Sequence, residues 1–141
     1  MNIMKLTSNA LIALALLVLG IILAVGPWVL FPVCEVEGML QPNGLPMPCG
    51  YTARAEMVAG SLLFIGGLLL FFVKSNDAKR VIAILSAAIG VWSILIPVYL
   101  IGVCKNLAHP CVLETKPSLL IVGAVVVIVS LVLLYLTRKK K

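Results

Sequence analysis

Four apolar runs, each about as long as a bilayer is thick, constrain this 141-residue chain more than any other feature. A helix needs about 20 predominantly apolar residues to cross roughly 30 Å of hydrocarbon. The runs fall at about residues 10–31, 55–73, 81–103 and 117–136 and take up most of the chain. Inside hydrocarbon the backbone must satisfy its own hydrogen bonds, so each run is expected to be a helix. The predicted fold is therefore an all-α, four-transmembrane-helix bundle in a single domain covering residues 1–141. The connecting loops, 32–54 and 104–116, are too short to build a core of their own. Charge supports this reading: 11% of residues are charged and 62% hydrophobic, whereas a soluble domain carries about 25% charged residues.

Local signals refine the spans. Thr7, Ser8 and Asn9 offer N-cap oxygens ahead of the first. That run exceeds the roughly 7–15-residue core of a secretory leader and lacks a small-residue cleavage pattern at its end, so it reads as a span. Gly26-Pro27 is expected to bend or end the helix, with Trp28 at headgroup depth. The seven residues 74–80 read as the turn of a helical hairpin. Pro97 predicts a kink or a loosened last turn in the third span. Pro117 suits the first helical position of the fourth. Tyr99 and Tyr135 lie near span ends, where amphipathic rings prefer to sit.

The net charge of +6 sits mainly at one end of the bundle. Lys5, Lys74, Lys79, Arg80, Arg138, Lys139, Lys140 and Lys141 belong to the termini and the 74–80 turn, against Arg54, Lys105 and Lys116 on the other side. Glu35, Glu37, Glu56 and Glu114 accompany the smaller basic group, and Asp77 alone accompanies the larger. Positive residues mark the cytoplasmic side, so both termini are expected in the cytoplasm and the chain in the plasma membrane. No aromatic-interleaved basic face or nucleic-acid motif accompanies the charge, which excludes nucleic acid as the expected partner. The terminal basic run fits orientation and contact with anionic lipid headgroups.

All four cysteines fall in the two outer loops: Cys34 and Cys49 bracket the first, Cys104 and Cys111 the second. An even count confined to an oxidising side is the pattern of a disulfide framework, so both loops are expected to be disulfide-braced. Pairing within each loop is the simplest of three connectivities, and pairing across the loops remains open. The first loop holds three prolines and two glycines between its cysteines, which argues against regular structure there. Its Met39, Leu40, Leu45 and Met47 suit a lid on the bundle or a partner's surface. A faint repeat is visible as well. Val33-Cys34 leads to Pro48-Cys49, and Val103-Cys104 to Pro110-Cys111; Gly60 and Gly123 follow the second cysteines at 11 and 12 residues. This is the pattern a parallel duplication would leave.

The stretch Met47-Pro48-Cys49-Gly50-Tyr51-Thr52-Ala53-Arg54-Ala55-Glu56, with Leu100-Ile101-Gly102-Val103-Cys104 and Pro110-Cys111, resembles the small prokaryotic membrane proteins grouped as domain of unknown function 4418. The resemblance covers roughly residues 10–136. It implies the four-helix topology and no assigned activity. The family pattern carries a histidine directly after the second cysteine, where this chain has Gly50, which weakens a metal or haem role.

Arg54 and Glu56 are expected at the mouth of the second span, either as an interfacial cation and a hydrogen-bonded acid or as an interface or ligand site. Their spacing puts them on different helix faces. His109 stands near Cys104 and Cys111 and could join soft metal ligands, but the Cys-x6-Cys spacing fits no standard zinc site, so no metal and no cofactor is expected. Gly60, Gly66, Gly67, Gly90 and Gly123 offer close-packing surfaces for the bundle or for a partner helix. The spans read as devoid of buried charge, which argues against a self-contained pump.

These features predict a non-enzymatic accessory or stabilising subunit that docks on a larger membrane complex, such as a transporter, or self-associates. The competing reading is a thiol-disulfide oxidase that passes electrons to quinone. Four spans with two cysteines in each outer loop, and an arginine soon after the first pair, look like the bacterial disulfide-bond oxidases. Their Cys-x-x-Cys redox pair is replaced here by cysteines 15 positions apart, a spacing that favours a structural bridge. A small-molecule or metal transport component is a third, weaker reading.

Overall fold

A run of good helix formers with no proline before Pro27 starts the first helix earlier than the hydropathy alone suggests: α1 spans Asn2–Val29. Thr7, Ser8 and Asn9, expected as caps, lie inside it, because nothing in the sequence interrupts the helix there. The computed structural model describes residues 2–31, 33, 44, 47–104 and 111–138. The remaining helices are α2 (Pro48–Phe72), α3 (Asn76–Leu95) and α4 (Lys116–Arg138). A π-turn continues α3 over Ile96–Leu100, and another leads into α4 over Cys111–Thr115. All four helical stretches are long and apolar enough to cross a membrane, so the chain is a multi-pass, all-helical membrane protein.

Three further helix starts differ from the sequence expectation for physical reasons. α2 starts at Pro48 rather than near residue 55, since Pro48 fills the first helical position, where its missing N–H costs nothing. The helix therefore begins two turns before the hydrophobic run. The 74–80 turn shrinks to residues 73–75, and Asp77, Lys79 and Arg80 become the opening of α3. There Arg80 donates a 3.1 Å hydrogen bond to the Thr137 carbonyl near the end of α4 and lies 3.5 Å from Asp77. Pro117 is not the first residue of its helix, because the π-turn precedes it. A wide turn leaves room for a proline ring that a regular α-turn would clash with. Pro97 sits in a π-turn as well, the loosened last turn expected of it.

α1 packs along α2 and α3 along α4, while α2–α3 and α1–α4 meet less extensively. Glycine sets both tight pairs. A Cβ on Gly60 would stand 2.4 Å from the Ala24 nitrogen and 2.6 Å from the Gly20 carbonyl oxygen. A Cβ on Gly90 would stand 3.0 Å from the Gly123 oxygen. Helices in lipid gain little from burying apolar surface against one another, so close backbone approach is what holds such pairs together.

The faint repeat becomes a structural one. Ala13, Gly20, Pro27 and Val33 recur 70 residues on as Ala83, Gly90, Pro97 and Val103, and all but Val103 are buried. Thr52, Gly60, Leu63 and Leu70 recur 63 residues on as Thr115, Gly123, Val126 and Leu133, all buried. Cys49 and Cys111 are only 62 apart, and the π-turn Cys111–Thr115 absorbs the extra residue. A π-turn is the usual trace of a single-residue insertion into a helix. The two helix pairs are thus parallel copies of one unit facing each other across the bundle.

Candidate functional site

The first turns of α2 bring the chemistry-bearing residues to one end of the bundle. Cys49, Thr52, Ala53 and Glu56 recur at helical spacing and share its inward face, all fully buried. The segment following the α3 π-turn delivers Cys104 to the same place, and the turn before α4 delivers Cys111. The sulfurs of Cys49, Cys104 and Cys111 all lie within 4.8 Å of one another. Cys104 Sγ stands 3.4 Å from Cys49 Sγ, longer than the ~2.05 Å of a disulfide. Cys49 and Cys111 are 0% exposed and pack with Val33 and Ala53, flanked by Met47 and Val112. Cys104 is half-buried and lines a cavity of ≈ 500 Å³ with Met47, Pro48, Tyr99 and Gly102. The three described sulfurs come from both loops, so the within-loop pair Cys104–Cys111 and the cross-loop pair Cys49–Cys104 both lie within this cluster. Cys34 and His109 lie outside the described residues, as do Glu35, Glu37 and Lys105.

Two threonines fasten this end, and sequence reasoning missed both. Thr52 Oγ1 donates to the Gly102 carbonyl at 2.7 Å, and Thr115 Oγ1 donates to the Phe31 carbonyl at 3.0 Å. They are repeat equivalents, and each reaches the end of the first helix in the opposite copy. Gly102 adopts φ +82°, the left-handed conformation that ends a helix and that glycine takes without a Cβ penalty. Its N–H bonds back to the Ile96 carbonyl at 3.0 Å, leaving its own carbonyl turned to Thr52. The 63-residue spacing of the two threonines was the signal that could have found them.

Arg54 is exposed and Glu56 buried, so their spacing of two separates them as expected. Glu56, however, is not at the mouth of the span. It lies fully inside the bundle, more than two turns into α2, and its two carboxylate oxygens have no hydrogen-bond partner among the described residues. The expectation of a hydrogen-bonded acid at the span mouth is thereby corrected, and so is the view that the spans hold no buried ionisable group. Hydropathy places Glu56 at the rim because the hydrophobic run begins near residue 55, whereas the helix begins at Pro48. Ser93 of α3 is set against the carboxylate, and its hydroxyl too makes no hydrogen bond of ordinary geometry. In the other repeat the corresponding positions are Leu119 and Leu23, both fully buried.

A second feature lies along the bundle wall. Between α2 and α3 runs an apolar groove of ≈ 550 Å³, with Ala55, Ala59, Gly66 and Ser86 among its small residues and Leu62, Leu85 and Trp92 among its large ones. A Cβ on Gly66 would approach nothing closer than 3.8 Å.

Four membrane-crossing helices, paired through glycine contacts and closed at one end by a sulfur cluster, define a small helical membrane protein of duplicated architecture. The chain belongs to the family described as domain of unknown function (DUF4418), whose model matches residues 16–136. No curated protein and no solved structure matches it.

Proposed function

We propose that this protein is a non-enzymatic membrane subunit, with both termini cytoplasmic and the sulfur-lined end outside, that docks on a larger membrane complex through the α2–α3 groove. The observation that carries this is the groove itself. From Ala55 to Leu69 its α2 wall is about 21 Å long at 1.5 Å per residue, enough for one helix of a partner to lie along it. Its small residues allow the close approach on which helix association in lipid depends. Its lining holds a single polar side chain, Ser86, which fits an apolar helix better than a polar solute. The orientation rests on eight basic residues at the termini and the α2–α3 connection against three at the other end.

A photo-crosslinking residue at Leu62 or Leu85 is expected to capture one defined membrane polypeptide in native membranes. Gly66→Phe should abolish that product while leaving the melting temperature unchanged, because its Cβ has space. A control crosslinker at Ile121 should give none. A monodisperse monomer with no groove-specific product counts against the reading, and a crosslinked homodimer would replace the partner with a second copy.

The convergence of three sulfurs favours one alternative, a thiol oxidase. A substrate dithiol would reduce a disulfide at the rim, and a quinone taking up two electrons and two protons would restore it. Cys104, beside Tyr99 in an open cavity, is the sulfur placed for exchange. On that reading the purified protein reduces a soluble quinone with reduced thiols as donor, and Cys104→Ser abolishes the reaction. A wild-type rate in a variant lacking all four cysteines eliminates it.

A further inference from the structure

We infer that Cys49 and Cys104 form a disulfide that ties one repeat to the other. The inference rests on the outward orientation of this end proposed above. Three observations support it. The Cys49 and Cys104 sulfurs are in contact at 3.4 Å, against the ~2.05 Å of a formed disulfide. Their backbones are already held together, since Thr52, three residues after Cys49, donates at 2.7 Å to Gly102, two residues before Cys104. The two copies are tied a second time at this end, because Thr115 of the second donates at 3.0 Å to Phe31 at the end of the first helix.

The covalent balance is simple. For the bridge two S–H bonds break and one S–S bond forms. The two electrons and two protons pass by thiol–disulfide exchange to a protein or small-molecule disulfide of the outer compartment, which leaves as a dithiol or two thiols. The consequence concerns the looser interfaces. Glycine contacts hold α1 to α2 and α3 to α4 but not one pair to the other. Within-loop bridges would only reinforce pairs that are already tight. Bridges across the loops would join the pairs at the rim, next to the α2–α3 groove.

Apart from such bridges, the copies are joined covalently only through the link at residues 73–75, which makes a test on a denaturing gel direct. A protease site is placed between Lys74 and Ser75 of the full chain, and the protein is cleaved in mild detergent and run on a denaturing gel. A cross-repeat bridge predicts one band at full-length mobility without reductant and two bands of about half the size with it. The Cys104→Ser/Cys111→Ser double variant should give two bands in both lanes, and peptide mapping of the uncut protein should recover a Cys49–Cys104 linked pair. Separation of the uncut-cysteine protein without reductant, with Cys34–Cys49 and Cys104–Cys111 peptides, overturns the pairing. Four alkylatable thiols, with or without a bound soft metal ion, also overturn it. Labelling of intact cells by a membrane-impermeant maleimide after reduction reports the orientation separately, so a wrong topology is distinguished from a wrong pairing.

Discussion

Replacing Gly60 with leucine is expected to dismantle the α1–α2 pair. A Cβ at this position would lie 2.4 Å from the Ala24 nitrogen, 2.6 Å from the Gly20 oxygen and 2.9 Å from the Ala24 Cα. All three are backbone atoms, so no rotamer change relieves the clash and the helices must separate. Overpacking costs about 1–3 kcal/mol even where side chains can shift, and here the displacement propagates. Gly20 on the facing helix is equally tight, with its Cβ position 2.7 Å from the Phe64 nitrogen, and Gly67 one level further along lies 2.9 Å from the Leu17 nitrogen. Once the pair opens at Gly60, both neighbouring contacts lengthen. A cost above ~3 kcal/mol corresponds to a fall in melting temperature of about 10 °C or more for a chain of this size. Fluorescence-detected size exclusion across a temperature series in mild detergent measures it. Gly66→Leu is the internal control and should melt within a few degrees of the parent. Gly90→Leu should fall between them, since two of its three closest contacts are the side-chain carbons of Val127 and Val126, which can yield. A Gly60→Leu protein that melts with the parent would mean that the two helices are not in backbone contact.

The sequence revealed the bundle through the bluntest signal a chain can carry, four long apolar runs. It also disclosed that Cys49, Cys104 and Cys111 belong at one end. What it hid follows from where hydropathy is a poor guide. Pro48 through Arg54 is polar enough to look like loop, yet it forms the first turns of α2, because a helix start is set by capping and proline geometry as well as by hydrophobicity. Misplacing that start moved Glu56 from the bundle interior to its rim. Pro97 announced the loosened turn at Ile96–Leu100, whereas the π-turn at Cys111–Thr115 has no composition of its own and was not legible. The duplication was half legible: the Cys-to-Gly spacings were visible, whereas the 70-residue recurrence of Ala13, Gly20 and Pro27 gains meaning only once all of them are seen to be buried. Sulfur pairing depends on which loop ends meet in space, and helix packing decides that.

Glu56→Leu is expected to make the protein more stable, and the duplication supplies the reason. A buried polar group without a partner costs about 1–3 kcal/mol, and more if it is charged. Among the described residues Glu56 keeps two unpartnered oxygens at 0% exposure, beside a Ser93 hydroxyl in the same condition. The fold itself contains the apolar version of this place: Leu119 stands where Glu56 does and Leu23 where Ser93 does, both fully buried in the same molecule. The architecture therefore has no need of a carboxylate here, and the chain tolerates a destabilising group in one copy that the other lacks. Leucine at position 56 should raise the melting temperature by several degrees, consistent with about 1–3 kcal/mol regained, and Glu56→Leu/Ser93→Leu by more. Glu56→Ala should gain less, because removing the side chain leaves a cavity that offsets the relief. If Glu56→Leu is instead destabilised, the carboxylate has a partner in the native membrane protein and contributes to its structure. If it is stabilised, the cost of keeping Glu56 is borne for function, and this asymmetric position between α2 and α3 becomes the residue to vary first in any assay of the groove or the rim.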